Sequence, residues 1–256
     1  MSIIDTFDSS STAIINASDM VNPIDNYPDV TIAVFNRTFL KILLEKYDAA
    51  EIEATDTGCS FPIFRFKHRG VPLAFACVTR CGPGASGDLE ELLAIGAKKV
   101  LFFGSSGALF HDMNPGQIVV PSEAYRDEGV SYHYAPSGDF IAVPTAGKLA
   151  SLLRQHGVEH QVAKTWTTDA FYRETKQTME KRKTAGCVVV EQECASVMAV
   201  GQFRNADIYQ FLYVADCLDG EHWDSRILGK TPEGIRIHML DLAVKIAADL
   251  SLQGWQ

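Results

Sequence analysis

The chain has 256 residues, of which 46% are hydrophobic, and a formal net charge of -9 at pH 7. That length and apolar content suit one large α/β domain. The acidic balance, with no dense Lys/Arg cluster, excludes nucleic acid as the main partner, because a phosphate backbone demands a basic footprint.

No apolar run approaches the ~20 residues needed to cross a bilayer. The first basic residue is Arg37, so no charged leader region stands at the N-terminus; a cytoplasmic protein with no membrane partner is expected. The six cysteines, Cys59, Cys77, Cys81, Cys187, Cys194 and Cys217, form no C-x-x-C pair and read as reduced core residues. Cys77 and Cys81 with His68 lack the spacing of metal ligands, and His156 and His160, though four apart, are separated by Gly157, which breaks the helix that would align them; no metal site is expected.

Residues 1–29 are rich in Ser, Asp and Asn and read as an arm, extended or covering a neighbour, ahead of a domain over 30–256. The run 30–35 predicts a strand, and 38–47 a helix with Phe39, Leu40, Leu43, Leu44 and Tyr47 on one stripe. Segments 61–67 and 71–78 predict a hairpin around Arg69-Gly70. Residues 79–87, rich in Gly and Ser, predict a turn before a helix over 88–95. Such a turn either offers backbone N–H groups to an anion or is simply a tight connection.

The strand 100–103 runs into Gly104-Ser105-Ser106-Gly107, where small residues permit close backbone approach and hydroxyls can donate to phosphate or sugar oxygens. A strand over 117–121, an amphipathic helix over 144–156 ended by Gly157, and a strand over 161–166 follow. Residues 167–173 predict a polar loop with exposed aromatics, and 174–184 a charged helix. The apolar run 187–190 then leads to Glu191 and Glu193, at the start of another helix. Carboxylates beside an apolar run are costly unless hydrogen-bonded. They either bind a hydroxyl-rich ligand or face solvent and favour the helix dipole. A strand over 206–215 ends at Asp216, which reads either as a functional acid or as a turn residue. A long helix over 231–252 closes the chain.

Alternating strands and helices predict an α/β fold with a mainly parallel sheet covered on both sides. Ligands in such folds sit beyond the carboxyl ends of strands, which is where Ser105, Glu191, Glu193 and Asp216 fall.

From about residue 30 to about residue 252 the chain resembles the purine-nucleoside and uridine phosphorylases and their nucleosidase relatives. The residues that carry the resemblance are the Gly104-Ser105-Ser106-Gly107 turn, Thr168-Asp169-Ala170-Phe171-Tyr172, Val190-Glu191-Gln192-Glu193 and Asp216. The family pattern at the third motif is Glu-Met-Glu, so Gln192 departs from it. The resemblance implies a three-layer single domain, with a mainly parallel, partly mixed central sheet flanked by helices. It implies that Glu193 binds the ribose hydroxyls with Gln192 and Glu191 alongside, that Gly104 and Ser105 hold phosphate, and that Phe171 stacks on the base. Asp216 matches the acid that protonates a purine, and Arg226 the arginine some members bring toward it. Arg173 stands in the loop from which uridine enzymes read their base.

Two departures concern phosphate. Phe102 stands where these phosphorylases usually carry an arginine, and Phe35-Asn36-Arg37-Thr38 replaces a Gly-Asp-Pro loop. Arg37, Arg80, Arg173 or a neighbouring subunit would then supply the charge. The resemblance thus implies phosphorolysis of a purine nucleoside or uridine, with inorganic phosphate as co-substrate, no other cofactor, and a homodimer or homohexamer. Two alternatives stand beside it: a nucleoside hydrolase, and a nucleoside-binding protein without turnover.

Overall fold

The computed structural model describes residues 2–253, so residue 1 of the expected arm and residues 254–256 of the expected domain lie outside it. Val30–Val34 (β1) is buried along its whole length. It runs parallel to Val71–Cys77 (β4) on one side and to Lys99–Ala108 (β5) on the other. The hairpin pairs Ile63–His68 (β3) with β4, and Ala50–Ile52 (β2) adds an edge strand. Arg69 and Gly70 turn it at φ of 48° and 82°, which the missing Cβ of glycine makes easy at the second position.

Beyond β5 the sheet closes on itself. Asp207–Cys217 (β10) runs parallel to β5 and antiparallel to Ile118–Asp127 (β6). β6 pairs in parallel with His160–Thr168 (β8), β8 in parallel with Cys187–Glu191 (β9), and β9 antiparallel with β5. Phe140–Ala142 (β7) lengthens the sheet beside β6. The result is a mixed ten-stranded sheet, open at the β2 edge and ring-like at the other end.

β5 changes neighbours along its length. Its ladder with β1 ends at Val34 and Phe103, and its ladder with β9 begins at Gly107 and Val190. Residues 104–106 therefore have a partner on the β10 side only. The expected turn at Gly104-Ser105-Ser106-Gly107 is strand throughout, because β10 pairs with all of it. A Cβ on Gly107 would lie 2.7 Å from Leu218 and 3.0 Å from Val190, so this glycine serves close strand packing. Asp216 likewise lies inside β10, next to a bulge between Val214 and Asp216.

Helices flank the sheet. Glu233–Leu252 (α8) covers β1 and β4 and packs on Thr38–Lys46 (α1); Gly82–Ile95 (α3) packs on Cys194–Arg204 (α7). Shorter helices are Ala54–Thr57 (α2), Ser131–Tyr134 (α4), Ala146–Gln155 (α5) and Lys176–Thr184 (α6). The turn expected over 79–87 is shorter than its composition suggests, since α3 already begins at Gly82. A Cβ there would meet the Ser196 hydroxyl at 2.5 Å, so the glycine lets α3 and α7 approach. The second half of the arm folds on its own chain: Val21 and Tyr27 are buried, and the Ile24 N–H donates to the Ile95 carbonyl at 2.9 Å.

Gly201 is equally tight, its position for a Cβ lying 2.3 Å from Ile208 Cγ1. Overpacking a core typically costs about 1–3 kcal/mol. Gly201→Ala is therefore expected to lower the melting temperature by about 3–10 °C in a thermal scan.

Candidate active site

Where β5 loses one neighbour, a cavity of about 1090 Å³ opens. Its floor is Gly104, Ser105, Ser106 and Gly107 from β5, with Tyr213 and Asp216 from β10. One wall is Glu191, Gln192 and Glu193, between β9 and α7; others are Phe35 to Phe39, Thr79 to Cys81, Phe171 with Tyr172 and Glu174, and Leu228, Gly229, Thr231 and Arg236 on the way into α8. Of the residues singled out in the sequence, Arg37, Arg80, Gly104, Ser105, Phe171, Glu191, Gln192, Glu193 and Asp216 line it.

The two glutamates differ in what they touch. Glu191 is buried and fully engaged: Oε1 accepts from Thr167 Oγ1 at 2.5 Å and Thr165 Oγ1 at 3.3 Å, while Oε2 accepts the N–H groups of Glu193 and Cys194 at 2.7 Å each. Burial, with repulsion from Glu193, pushes its pKa up to about 7. This carboxyl holds the N-terminus of α7 and leaves no oxygen for a ribose, which corrects the expectation that it sits alongside the sugar. Glu193 accepts from the Cys81 N–H at 2.7 Å through Oε1. Burial raises its pKa, while the Cys81 and Gln192 N–H groups and the Arg80 charge oppose the rise. No side chain among the described residues donates to it, which leaves it capacity for a hydroxyl. The Gln192 side-chain oxygen Oε1 accepts from Cys81 Sγ at 3.3 Å.

Asp216 is 3% exposed and accepts from Trp223 Nε1 at 2.7 Å. Burial raises its pKa, against that hydrogen bond and the Arg226 charge. Beside it lies Glu174, a half-buried carboxyl that burial and the Asp216 charge push up to about 8. A pair of acids whose environments shift their titration is a mark of a reactive site.

Two expected residues are elsewhere. Arg226 does not line the cavity: it donates to Asp224 Oδ2 at 3.1 Å, to the His111 carbonyl at 2.9 Å and to the Met113 carbonyl. With its guanidinium so committed, it staples the 224–226 segment to the 111–113 loop and acts on Asp216 through its charge, without a hydrogen bond to it. Arg173 is exposed and does not line the cavity; it stands at the end of a single 3-10 turn, Phe171–Arg173. Phe171 is 37% exposed at the rim.

Sequence reasoning missed Glu174, Tyr213, Trp223, Thr231 and Arg236. Glu174 looked like the first residue of a charged helix, but α6 starts at Lys176 behind a Thr175 N-cap, whose hydroxyl accepts from the Thr178 N–H at 3.2 Å. An N-cap signal there was readable.

A model described as "Phosphorylase superfamily" matches residues 30–233. The chain belongs to that superfamily. Guanosine phosphorylase of Halorubrum lacusprofundi is 33% identical over 130 residues, 49% of this chain and 54% of that protein. Uridine phosphorylase of Thermococcus kodakarensis is 32% identical over 110 residues, 41% of this chain and 39% of that protein. The chain thus spans about half the length of the curated relatives it matches. The crystal structure of purine nucleoside phosphorylase from Toxoplasma gondii, in complex with immucillin-H, superposes with a TM-score of 0.76. It covers 90% of this chain and 94% of its own at 20% identity, a likeness of fold.

Removing the Glu191 carboxylate strands two buried N–H groups and the Thr167 hydroxyl, each at a typical cost of about 1–3 kcal/mol, while Thr165 keeps the Val189 carbonyl. Glu191→Ala is expected to lower the melting temperature by 5 °C or more, roughly, whereas Glu193→Gln, whose amide oxygen still accepts from Cys81, is expected to melt near the parent. Equal melting of all three proteins would refute this division of roles.

Proposed function

We propose that the chain is a nucleoside phosphorylase acting on a purine nucleoside or uridine, with a purine favoured. The observation that carries this reading is the placement of the Glu193 carboxylate and the raised, Trp223-bonded Asp216 carboxyl in one cavity. Their division of labour follows from the charges the reaction develops. A phosphate oxygen forms a bond to ribose C1′ as the C1′–N bond breaks, and that bonding pair passes to the base nitrogen. Positive charge builds on the sugar, where Glu193 holds the hydroxyls. Negative charge builds on the base, and an acid that donates a proton there is worth about 10²–10⁴-fold.

At neutral pH Glu174 keeps its proton, because burial and the Asp216 charge hold its pKa up at about 8. Phe171 at the rim supplies a stacking face. A homo-oligomeric state and a cytoplasmic location belong to the same reading; the guanosine and uridine phosphorylases among the relatives support a nucleoside as substrate.

Purified protein incubated with inosine, adenosine, guanosine, uridine and thymidine, with and without phosphate, is expected to release base only with phosphate. Release in both buffers would instead indicate a hydrolase, and release in neither a binding protein. Asp216→Asn is expected to reduce kcat by about 10²–10⁴-fold. Because the acid must carry its proton, kcat/KM is expected to fall as pH rises through about 8. Glu174→Gln cannot titrate and should flatten or displace that alkaline limb; an unchanged pH profile would remove Glu174 from the acid pair.

A further inference from the structure

We infer that Gln192, oriented by Cys81, makes this cavity select a sugar that carries both ring hydroxyls, a ribonucleoside over its deoxy analogues. This role rests on the proposed function and narrows its substrate to one kind of sugar. Gln192 stands where the resemblance places methionine, so an amide replaces a side chain whose thioether is at best a weak acceptor.

Cys81 anchors two neighbouring side chains at once. Its N–H donates to Glu193 Oε1 at 2.7 Å, and its Sγ–H donates to Gln192 Oε1 at 3.3 Å. All three residues line the cavity. Burial and the Glu193 charge raise the Cys81 pKa, so the sulfur keeps its proton at neutral pH and serves as the donor. The φ of 68° at Cys81, rare outside glycine, is held by contacts on both of its donors.

A glutamine amide has one acceptor oxygen and one NH2 group. With the oxygen turned to Cys81, Nε2 is the polar atom left over, and among the described residues no acceptor takes its protons. Beside it, Glu193 has acceptor capacity beyond its bond to Cys81. This wall therefore offers a donor next to an acceptor, both fixed by one residue. Glu191 cannot share the task, since two threonines and the start of α7 occupy its oxygens.

A hydroxyl donates one proton and accepts through two lone pairs. An ionised carboxylate alone uses only the proton. Glu193 with Gln192 uses both halves of one hydroxyl, or spans the two of a cis-diol. A sugar that lacks one of them leaves Nε2 or the carboxylate unpaired in a space closed to water, the kind of mismatch that polar sites reject most strongly.

Titration calorimetry without phosphate reads this selection apart from turnover. Guanosine, adenosine and uridine, each with its 2′-deoxy and 3′-deoxy counterparts, would be titrated into the parent protein, Gln192→Met, Cys81→Ala and Cys81→Ser, with melting curves as a check on folding. The parent is expected to bind a ribonucleoside at least about 10-fold more tightly than one of its deoxy counterparts. Gln192→Met should shrink that ratio about 3- to 10-fold, by weakening the ribonucleoside and sparing the deoxynucleoside. Cys81→Ala frees the amide to turn and should shrink the ratio in the same direction; it carries the test if Gln192→Met does not fold. Cys81→Ser keeps a donor and should restore the parent ratio.

A ratio unchanged in both Gln192→Met and Cys81→Ala would reduce their bond to a structural tie and overturn the selection, with nucleoside binding intact. So would a parent protein that binds ribonucleosides and deoxynucleosides equally. A parent protein that binds none of them would overturn the proposed function, and this role with it.

Discussion

A carboxylate held out of water has to be surrounded by donors, and Glu191 meets that demand with two threonine hydroxyls from β8 and two N–H groups from the start of α7. The same contacts fix three elements relative to one another: the strand that carries Glu191, its parallel neighbour, and the helix that follows. Glu193, two residues on, inherits its position from this arrangement and meets the N-terminus of α3 through Cys81. Cys81 itself sits at a φ of 68°, a conformation that non-glycine residues rarely adopt and that surrounding structure must hold in place. Helix starts thus meet carboxyls on this wall of the cavity, where their exposed N–H groups and positive ends favour negative charge.

The acids of the cavity divide into those that the protein satisfies and those it leaves available. Glu191 belongs to the architecture. Glu193 keeps capacity for hydroxyls, and Glu174 is kept from full ionisation by burial and by the Asp216 charge, while burial raises the pKa of Asp216. The basic groups divide in the same way, for Arg226 is spent on backbone carbonyls whereas Arg236 is not. Residue type alone does not distinguish the members of either pair; their hydrogen-bond partners do.

That is also why the sequence was legible to the depth it was. The strand and helix order, and the convergence of Ser105, Glu193 and Asp216, follow from hydrophobic runs and small-residue motifs that report local structure. The ring closed by β10, β6, β8, β9 and β5 does not, since pairing between strands distant in sequence leaves no local period. Glycine-rich stretches were the least transparent. Gly104 and Gly107 read as a turn and proved to be strand, and Gly82 opens a helix, because a glycine can mark close packing as well as a reversal of the chain. Arg226 and Arg236 differ by ten positions and in nothing that composition can register; only their partners show which is structural.

The change of neighbours along β5 makes the cavity a fork in the sheet. A pocket built from loops can be reshaped or lost by trimming them, but a fork persists for as long as the two ladders diverge. The rim, with Phe171, Tyr172 and the 228–231 segment, is free to change length and composition above it. Groups at the rim can therefore vary while the carboxyls on β9 and β10 stay where the sheet holds them.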